Sequence, residues 1–251
     1  MSNLTHPDKI LYLDIETAAL AEHYTQMSGR MPDQWELKAD SLFARMNPEE
    51  KEKYMAEDDS YQKLYEDRAA LHTAFSRIVC ISFGFVSPLD ETQRKMQLRS
   101  YYGEDEKEIL EDFAHSVNKW SATSPQNRLA AHNGKFFDFP LLARKYMLHG
   151  LVIPYALNII GKKPWEIQLV DTMEIWKMGV YNAAIKLDTL SAAYGLPSPK
   201  AEMSGADVNR YFWDGRHQDI AEYCELDIST LANCYICMYG ERQLVTVTEK
   251  V

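Results

Sequence analysis

Asp14 and Glu16 close the stretch KILYLDIET (9–17), which is otherwise rich in apolar residues. Residues two apart on an extended chain point the same way and stand about 6–7 Å apart. That spacing lets two carboxylates flank one cation or bridge a pair. D-x-E alone says little, since acids also end ordinary strands. A second stretch, HNGKFFDFP (132–140), sets Asp138 among Phe136, Phe137 and Phe139, downstream of the polar turn His132-Asn133-Gly134 and two residues before Pro140. In isolation Asp138 reads equally as a helix N-cap and as a carboxylate whose apolar surroundings demand a partner, such as a metal ion. The third stretch is IAEYCELDISTL (220–231). At about 100° per residue, Ile220, Cys224, Ile228, Leu231, Tyr235 and Met238 form one apolar stripe, and Asp227 falls about 20° from Ile220. Tyr223 occupies the same side one turn earlier, so its hydroxyl and the Asp227 carboxylate can reach a common site. Taken alone, Asp227 also reads as a tolerated acid at the margin of a helix core.

Together the four carboxylates and the tyrosine have one chemical explanation. Two divalent cations about 4 Å apart stabilise the attacking and leaving oxygens when water splits a phosphodiester. Mg²⁺ or Mn²⁺ takes oxygen ligands and keeps waters exchangeable for substrate phosphate. A tyrosine hydroxyl, with a free pKa near 10, orients the attacking water, while proton removal falls mainly to metal activation of that water.

These residues need a scaffold. Along 9–17, Ile10, Tyr12, Asp14 and Glu16 share one face of a predicted strand; Leu11, Leu13 and Ile15 share the other. Apolar residues on both faces predict a buried strand that terminates at a site. Strands are also expected at 77–85, 95–103, 128–134 and 167–172. An amphipathic helix is expected over 104–120, with Ile109, Leu110, Phe113 and Val117 on one face, and a second helix over 137–150. Beyond 172 the pattern is helical, around 187–194, 205–213 and 217–239. Residues 19–75 differ: they are charged, mostly helical in period and punctuated by Pro32 and Pro48. This order predicts an α/β fold in a single domain spanning 1–251, a mixed sheet flanked by helices, with 19–75 a helical insertion between the first two strands.

The ordered motifs resemble those of the DEDD exonucleases, the superfamily of polymerase proofreading domains. D-x-E is Asp14-Ile15-Glu16, N-x-x-x-F-D runs from Asn133 to Asp138, and Y-x-x-x-D runs from Tyr223 to Asp227. The sister class carries histidine five residues before its last aspartate. Glu222 stands there, which favours the tyrosine class, DEDDy. The segments 75–84, 132–142, 199–208 and 220–227 are similar to stand-alone predicted exonucleases related to the exonuclease domain of family B DNA polymerases. The resemblance implies an RNase H-like fold and metal-dependent 3′→5′ hydrolysis of single-stranded nucleic acid ends, DNA favoured. It implies Asp14, Glu16, Asp138 and Asp227 as ligands of two Mg²⁺ or Mn²⁺ ions, and Tyr223 as the water-positioning residue. Leu13, Ile15, Thr17, Asn133 and Phe137 would contact or shape the place of the 3′-terminal nucleotide; Asn133 reads equally as a turn residue. Two alternatives stay open: an enzyme acting on RNA ends or short oligonucleotides, and a non-catalytic nucleic-acid-binding subunit.

Composition constrains the rest. The chain has 251 residues, 46% hydrophobic and 25% charged, as in globular proteins. Its apolar runs are far below the ~20 residues of a membrane span. No export signal is read at the N-terminus, and a reduced, cytoplasmic setting is expected. A net charge of −10 opposes broad attraction to nucleic acid, although carboxylates gathered for metal ions contribute to that charge themselves. Cys234 and Cys237 form C-x-x-C in a helical pattern without a second pair, so a helix-core role is expected. Asp171 is expected to cap a helix, and His132 to be satisfied beside a turn. Lys135, Arg144, Lys145, Lys162 and Lys163 either contact phosphate or solvate the surface. The insertion is expected either to limit access as an arm or lid and receive a protein partner, or to be a solvated decoration.

Overall fold

A computed structural model describes residues 4–88, 90, 93–163, 166–197 and 203–250. Pro164-Trp165 and residues 199–202 of the resemblance segment lie outside these. Among the described residues, six strands form one mixed sheet: β1 (Ile10–Ala19), β2 (Ser76–Pro88), β3 (Arg94–Tyr102), β4 (Arg128–Ala131), β5 (Leu169–Asp171) and β6 (Val245–Lys250). They lie in the order β5-β4-β1-β2-β3-β6. β1 pairs antiparallel with β2 and parallel with β4, so the first strand is central. Its predicted two-sided burial follows from that position.

One face of β1 presents Leu11, Leu13 and Ile15 to α4 (Glu106–Ser121) and α5 (Asp138–Leu148). The amphipathic pattern of α4 is observed, with Ile109, Leu110, Phe113 and Val117 all buried. The other face sets Ile10 and Tyr12 against Ile228, Leu231, Ala232 and Tyr235 of a long helix spanning His217–Tyr239. That helix ends at Gly240, whose φ of 99° is a left-handed cap that side chains disfavour. Cys234 and Cys237 are free thiols buried in it, as their helix-core role requires.

The insertion contains α1 (Met31–Phe43), α2 (Pro48–Met55) and α3 (Ser60–Arg68). Pro32 and Pro48 each stand in the first turn of a helix, where the missing amide proton has no partner to lose. Trp35, Phe43, Leu64, Tyr65 and Phe75 form a core of the insertion's own, joined by Ala19 at the end of β1. Between β5 and the long helix lie α6 (Thr172–Lys177), α7 (Leu187–Ala193) and α8 (Val208–Trp213); the long helix is α9.

Two expectations need correction. The chain beyond 172 is not wholly helical, because β6 adds a parallel edge strand beside β3. The strand expected at 128–134 stops at Ala131. Asn133, at φ 63°, turns the backbone into a left-handed conformation that no strand accommodates.

Candidate active site

The second half of β1, the turn after β4 and the first half of α9 converge on one place. Asp14 and Glu16 share the α9 side of β1, and a β-bulge follows directly, between Glu16 and Thr17, where such irregularities re-aim side chains. Asp138 comes from the turn after β4. That turn is tightly built: a Cβ on Gly134 would stand 2.4 Å from the Ala131 Cβ and 3.0 Å from the Phe139 ring. The Asp171 carboxylate accepts the amide protons of Asn133 and Lys135 at 2.9 and 3.0 Å, and of Met173 at 2.9 Å. Asp171 therefore caps α6, as expected, and also clamps the turn that carries Asp138. His132 is satisfied: Nε2 donates to the Ile185 carbonyl at 2.8 Å, leaving Nδ1 to accept the Thr172 hydroxyl at 2.8 Å. Burial lowers its pKa, so it stays neutral.

Asp138 is the first residue of α5 rather than its cap; Phe137 holds the cap position. It is 3% exposed, and its carboxylate accepts its own amide and that of Ile15. Burial nevertheless pushes its pKa up to about 7. Burial likewise lifts Asp227 to about 6, offset in part by a hydrogen bond from the Tyr223 hydroxyl. Asp14 is raised by burial and then by the charges of Asp138 and Asp227. Glu16 is raised by burial and then by Asp14, with Asp227 and Asp138 contributing. The four carboxylates thus feel one another. Among the described residues no lysine, arginine or histidine pairs with any of them. Buried acids without cationic partners are unfavourable unless protonated or neutralised from outside. Hard divalent cations answer that demand with oxygen ligands, so the donor set fits such a metal.

Tyr223 is half-buried, and burial and the neighbouring carboxylates raise its pKa above the ordinary tyrosine value. It therefore remains a hydroxyl at neutral pH. Thr17 is buried and donates to the Ala70 carbonyl at 2.9 Å, tying the site strand to the base of the insertion. Leu13 and Ile15 turn their side chains into the core, at 0% and 4% exposure, so only their backbone faces the carboxylates. Phe137 packs partly buried against the same core, and Asn133 forms the left-handed turn.

Two neighbours escaped the sequence reading. The Cys224 thiol donates to the Asp14 carboxylate at 3.4 Å, and lies with Asp14 and Glu16 in a group whose ligand atoms are within 4.8 Å of one another. Its place next to Tyr223 was the available signal. Asp188 of α7 lies close enough to raise Asp227 further; nothing in its local sequence marks it. Conversely, Lys145 reaches no surface. It is 3% exposed, bonds the Ser76 carbonyl and pairs with Glu106 at 3.2 Å. Lys135 pairs with Glu174 at 2.6 Å.

A mixed sheet flanked by helices, with carboxylates gathered on its central strand, has the RNase H-like fold. A family model described as "Predicted 3'-5' exonuclease related to the exonuclease domain of PolB" matches residues 68–246. The chain belongs to that family, and is accordingly a 3′→5′ exonuclease, a hydrolase acting on phosphodiester bonds. The match begins at the last residue of α3, within the insertion, so Asp14 and Glu16 lie before it and join the site through the fold. Among solved structures, the family B DNA polymerase of the hyperthermophilic archaeon Pyrobaculum calidifontis aligns with a TM-score of 0.55 at 13% identity. The alignment covers 92% of this chain and 24% of the polymerase, which shows the fold. No curated protein matches. The family implies a divalent metal, which the acidic cluster suits. Among the described residues no helix is long and apolar enough to cross a membrane.

Proposed function

We propose that the chain removes nucleotides one at a time from the 3′ end of single-stranded DNA, releasing nucleoside monophosphates. Asp14, Glu16, Asp138 and Asp227 would hold two divalent ions, Mg²⁺ or Mn²⁺. When bound, such ions stabilise the attacking and leaving oxygens and make water nucleophilic near neutral pH. The chain's own residues supply position. Tyr223, its proton directed at Asp227, keeps its oxygen lone pairs to accept from and orient the attacking water. Asp171 and Gly134 fix the turn that sets Asp138 against the end of β1. The observation that supports the reading is the mutual approach of four carboxylates, Glu16 and Asp138 buried and Asp14 and Asp227 partly so, with no cationic side chain paired to them among the described residues. Thr17, Asn133, Phe137 and the backbone of Leu13 and Ile15 would shape the place of the terminal nucleotide. The insertion, tied at Thr17–Ala70, would limit entry to single strands or receive a protein partner.

The test uses 3′- and 5′-labelled single-stranded DNA and RNA, with Mg²⁺, Mn²⁺ or chelator, beside Asp138→Ala and Asp227→Ala. Metal-dependent shortening from the 3′ end of DNA, lost in both variants, is expected. Shortening of RNA alone would transfer the activity to the other polymer. Shortening of neither would remove the enzymatic reading.

A further inference from the structure

An apolar, cationic surface adjoins the catalytic turn. Phe136 is 69% exposed, Met178 84% and Tyr181 90%, and Trp176, two residues before Met178 in the chain, is 39% exposed. Isolated exposed apolar residues are unremarkable, but a cluster marks a binding surface. Sequence separation hides their relation, and three contacts bring the two segments that carry them together. The Lys177 ammonium lies 5.8 Å from the centre of the Phe136 ring. The Asp171 carboxylate joins the start of α6 to the Asn133 and Lys135 amides, just before Phe136. The chain then returns through the Ile185 carbonyl, held by His132, to Asp188, which perturbs Asp227. The segment 176–186 is therefore anchored at both ends to the catalytic neighbourhood.

Its charge runs against that of the molecule. In a chain of net charge −10, the segment 176–186 holds Lys177 and Lys186 and no acid, and among the described residues neither lysine makes an ion pair with an acid. Exposed rings interleaved with cations suit a strand whose bases stack while its phosphates meet lysines. We infer that Phe136, Trp176 and Tyr181 form a stacking platform, with Lys177 and Lys186, for the single-stranded polynucleotide upstream of the terminal nucleotide. This rests on the exonuclease reading for its direction, but not for its existence. Stacking reads the face that every base shares, so the platform prefers single strands of any sequence, DNA or RNA.

The experiment measures binding rather than cleavage. Fluorescent two- and ten-nucleotide DNA and RNA oligonucleotides with 3′-terminal phosphorothioate linkages are titrated in Mg²⁺ by anisotropy. The parent protein is compared with Phe136→Ala/Tyr181→Ala, Phe136→Leu/Tyr181→Leu and Lys177→Gln/Lys186→Gln, each checked by thermal melting. The parent should bind the ten-nucleotide strand at least about tenfold more tightly than the two-nucleotide one, and removing two rings should erase most of that gain. The lysine variant should bind more weakly and with a shallower salt dependence. A ten-nucleotide strand bound equally by parent and alanine variant would overturn the platform. So would leucine variants of full affinity, because a surface that needs only apolar area docks protein. A changed hydrodynamic mass with unchanged oligonucleotide affinity would reassign the surface to a second copy of the chain. Length-dependent binding of these probes, with no shortening of unmodified DNA or RNA by the same protein in Mg²⁺, would overturn the exonuclease reading alone.

Discussion

Asp138 and Asp171 are buried almost equally, at 3% and 2% exposure, and so are Glu16 and Glu106, at 9% and 7%. Their partners separate them. Asp171 accepts three amide protons. Glu106 accepts the Ile78 amide at 2.7 Å and pairs with Lys145 and His149 at 3.2 and 2.8 Å. Burial lifts the pKa values of all four site acids; the other site acids add to it for Asp14 and Glu16, Asp171 for Asp138 and Asp188 for Asp227. One set of carboxylates is paired or hydrogen-bonded within the protein, and the other has no cationic partner among the described residues. Burial identifies neither; the partner list does.

That contrast makes opposite predictions for removal. Asp138→Ala and Asp227→Ala should each lower exonuclease activity by about 10³-fold or more, since several kcal/mol of charge stabilisation leaves with a metal ligand. Their metal-free stability should be unchanged or raised, because a repelled charge has gone. Glu106→Ala should do the reverse. It strands the buried Lys145 ammonium, costing about 3–5 kcal/mol, read as a drop in Tm of about 2–4 °C per kcal/mol, while specific activity of the folded fraction persists. A Glu106 variant as stable as the parent would break the comparison.

The two sets were unequally legible in sequence. Asp227 stood out because α9 carries an apolar stripe against which an acid is conspicuous, and the period of β1 placed Asp14 and Glu16 on one face. Local pattern suffices when the constraint is local. Lys145 failed for the opposite reason: its partner Glu106 is 39 positions away, and an amphipathic helix tolerates lysine on either side until the packing is known. Asp188 and the platform around Phe136 depend on the path of 176–186 across the molecule, which no period encodes. β6 was missed because VTVTEK is short and partly charged, as edge strands often are, and its pairing with β3 is long-range.

Titration sharpens the comparison. The carboxyls of Asp138 and Asp227, at about 7 and about 6, lie above the ordinary value near 4. A raised folded-state pKa contributes stability that is fully present below about pH 4 and is lost as pH rises through about 6 and then 7. Metal-free protein should therefore lose about 4 °C or more of Tm between pH 5 and pH 8. Mg²⁺ or Mn²⁺ should restore more at pH 8 than at pH 5, since protons must leave before the ions bind. Asp138→Asn should flatten the metal-free profile. A Tm that rises with pH in the metal-free parent would refute the premise that these acids lack cationic partners.

Smaller effects are expected from the two residues that touch the site acids without being acids. Tyr223→Phe keeps the ring and removes the hydroxyl, so kcat should fall about 10–100-fold through a misplaced water, with metal affinity little changed. Cys224→Ala removes the thiol that donates to Asp14. That donor favours the Asp14 anion, so its loss raises the proton affinity of Asp14 further. The acidic limb of the metal-dependent rate should then move to higher pH, with metal affinity falling a few-fold at pH 6, an effect of about 1 kcal/mol, and little at pH 8. A pH-independent loss of the same size would mean that Cys224 only fills space. An unchanged profile would mean that the site acids have no protein donor to lose at Cys224, leaving Asp14 as bare of partners as the comparison in its strictest form requires.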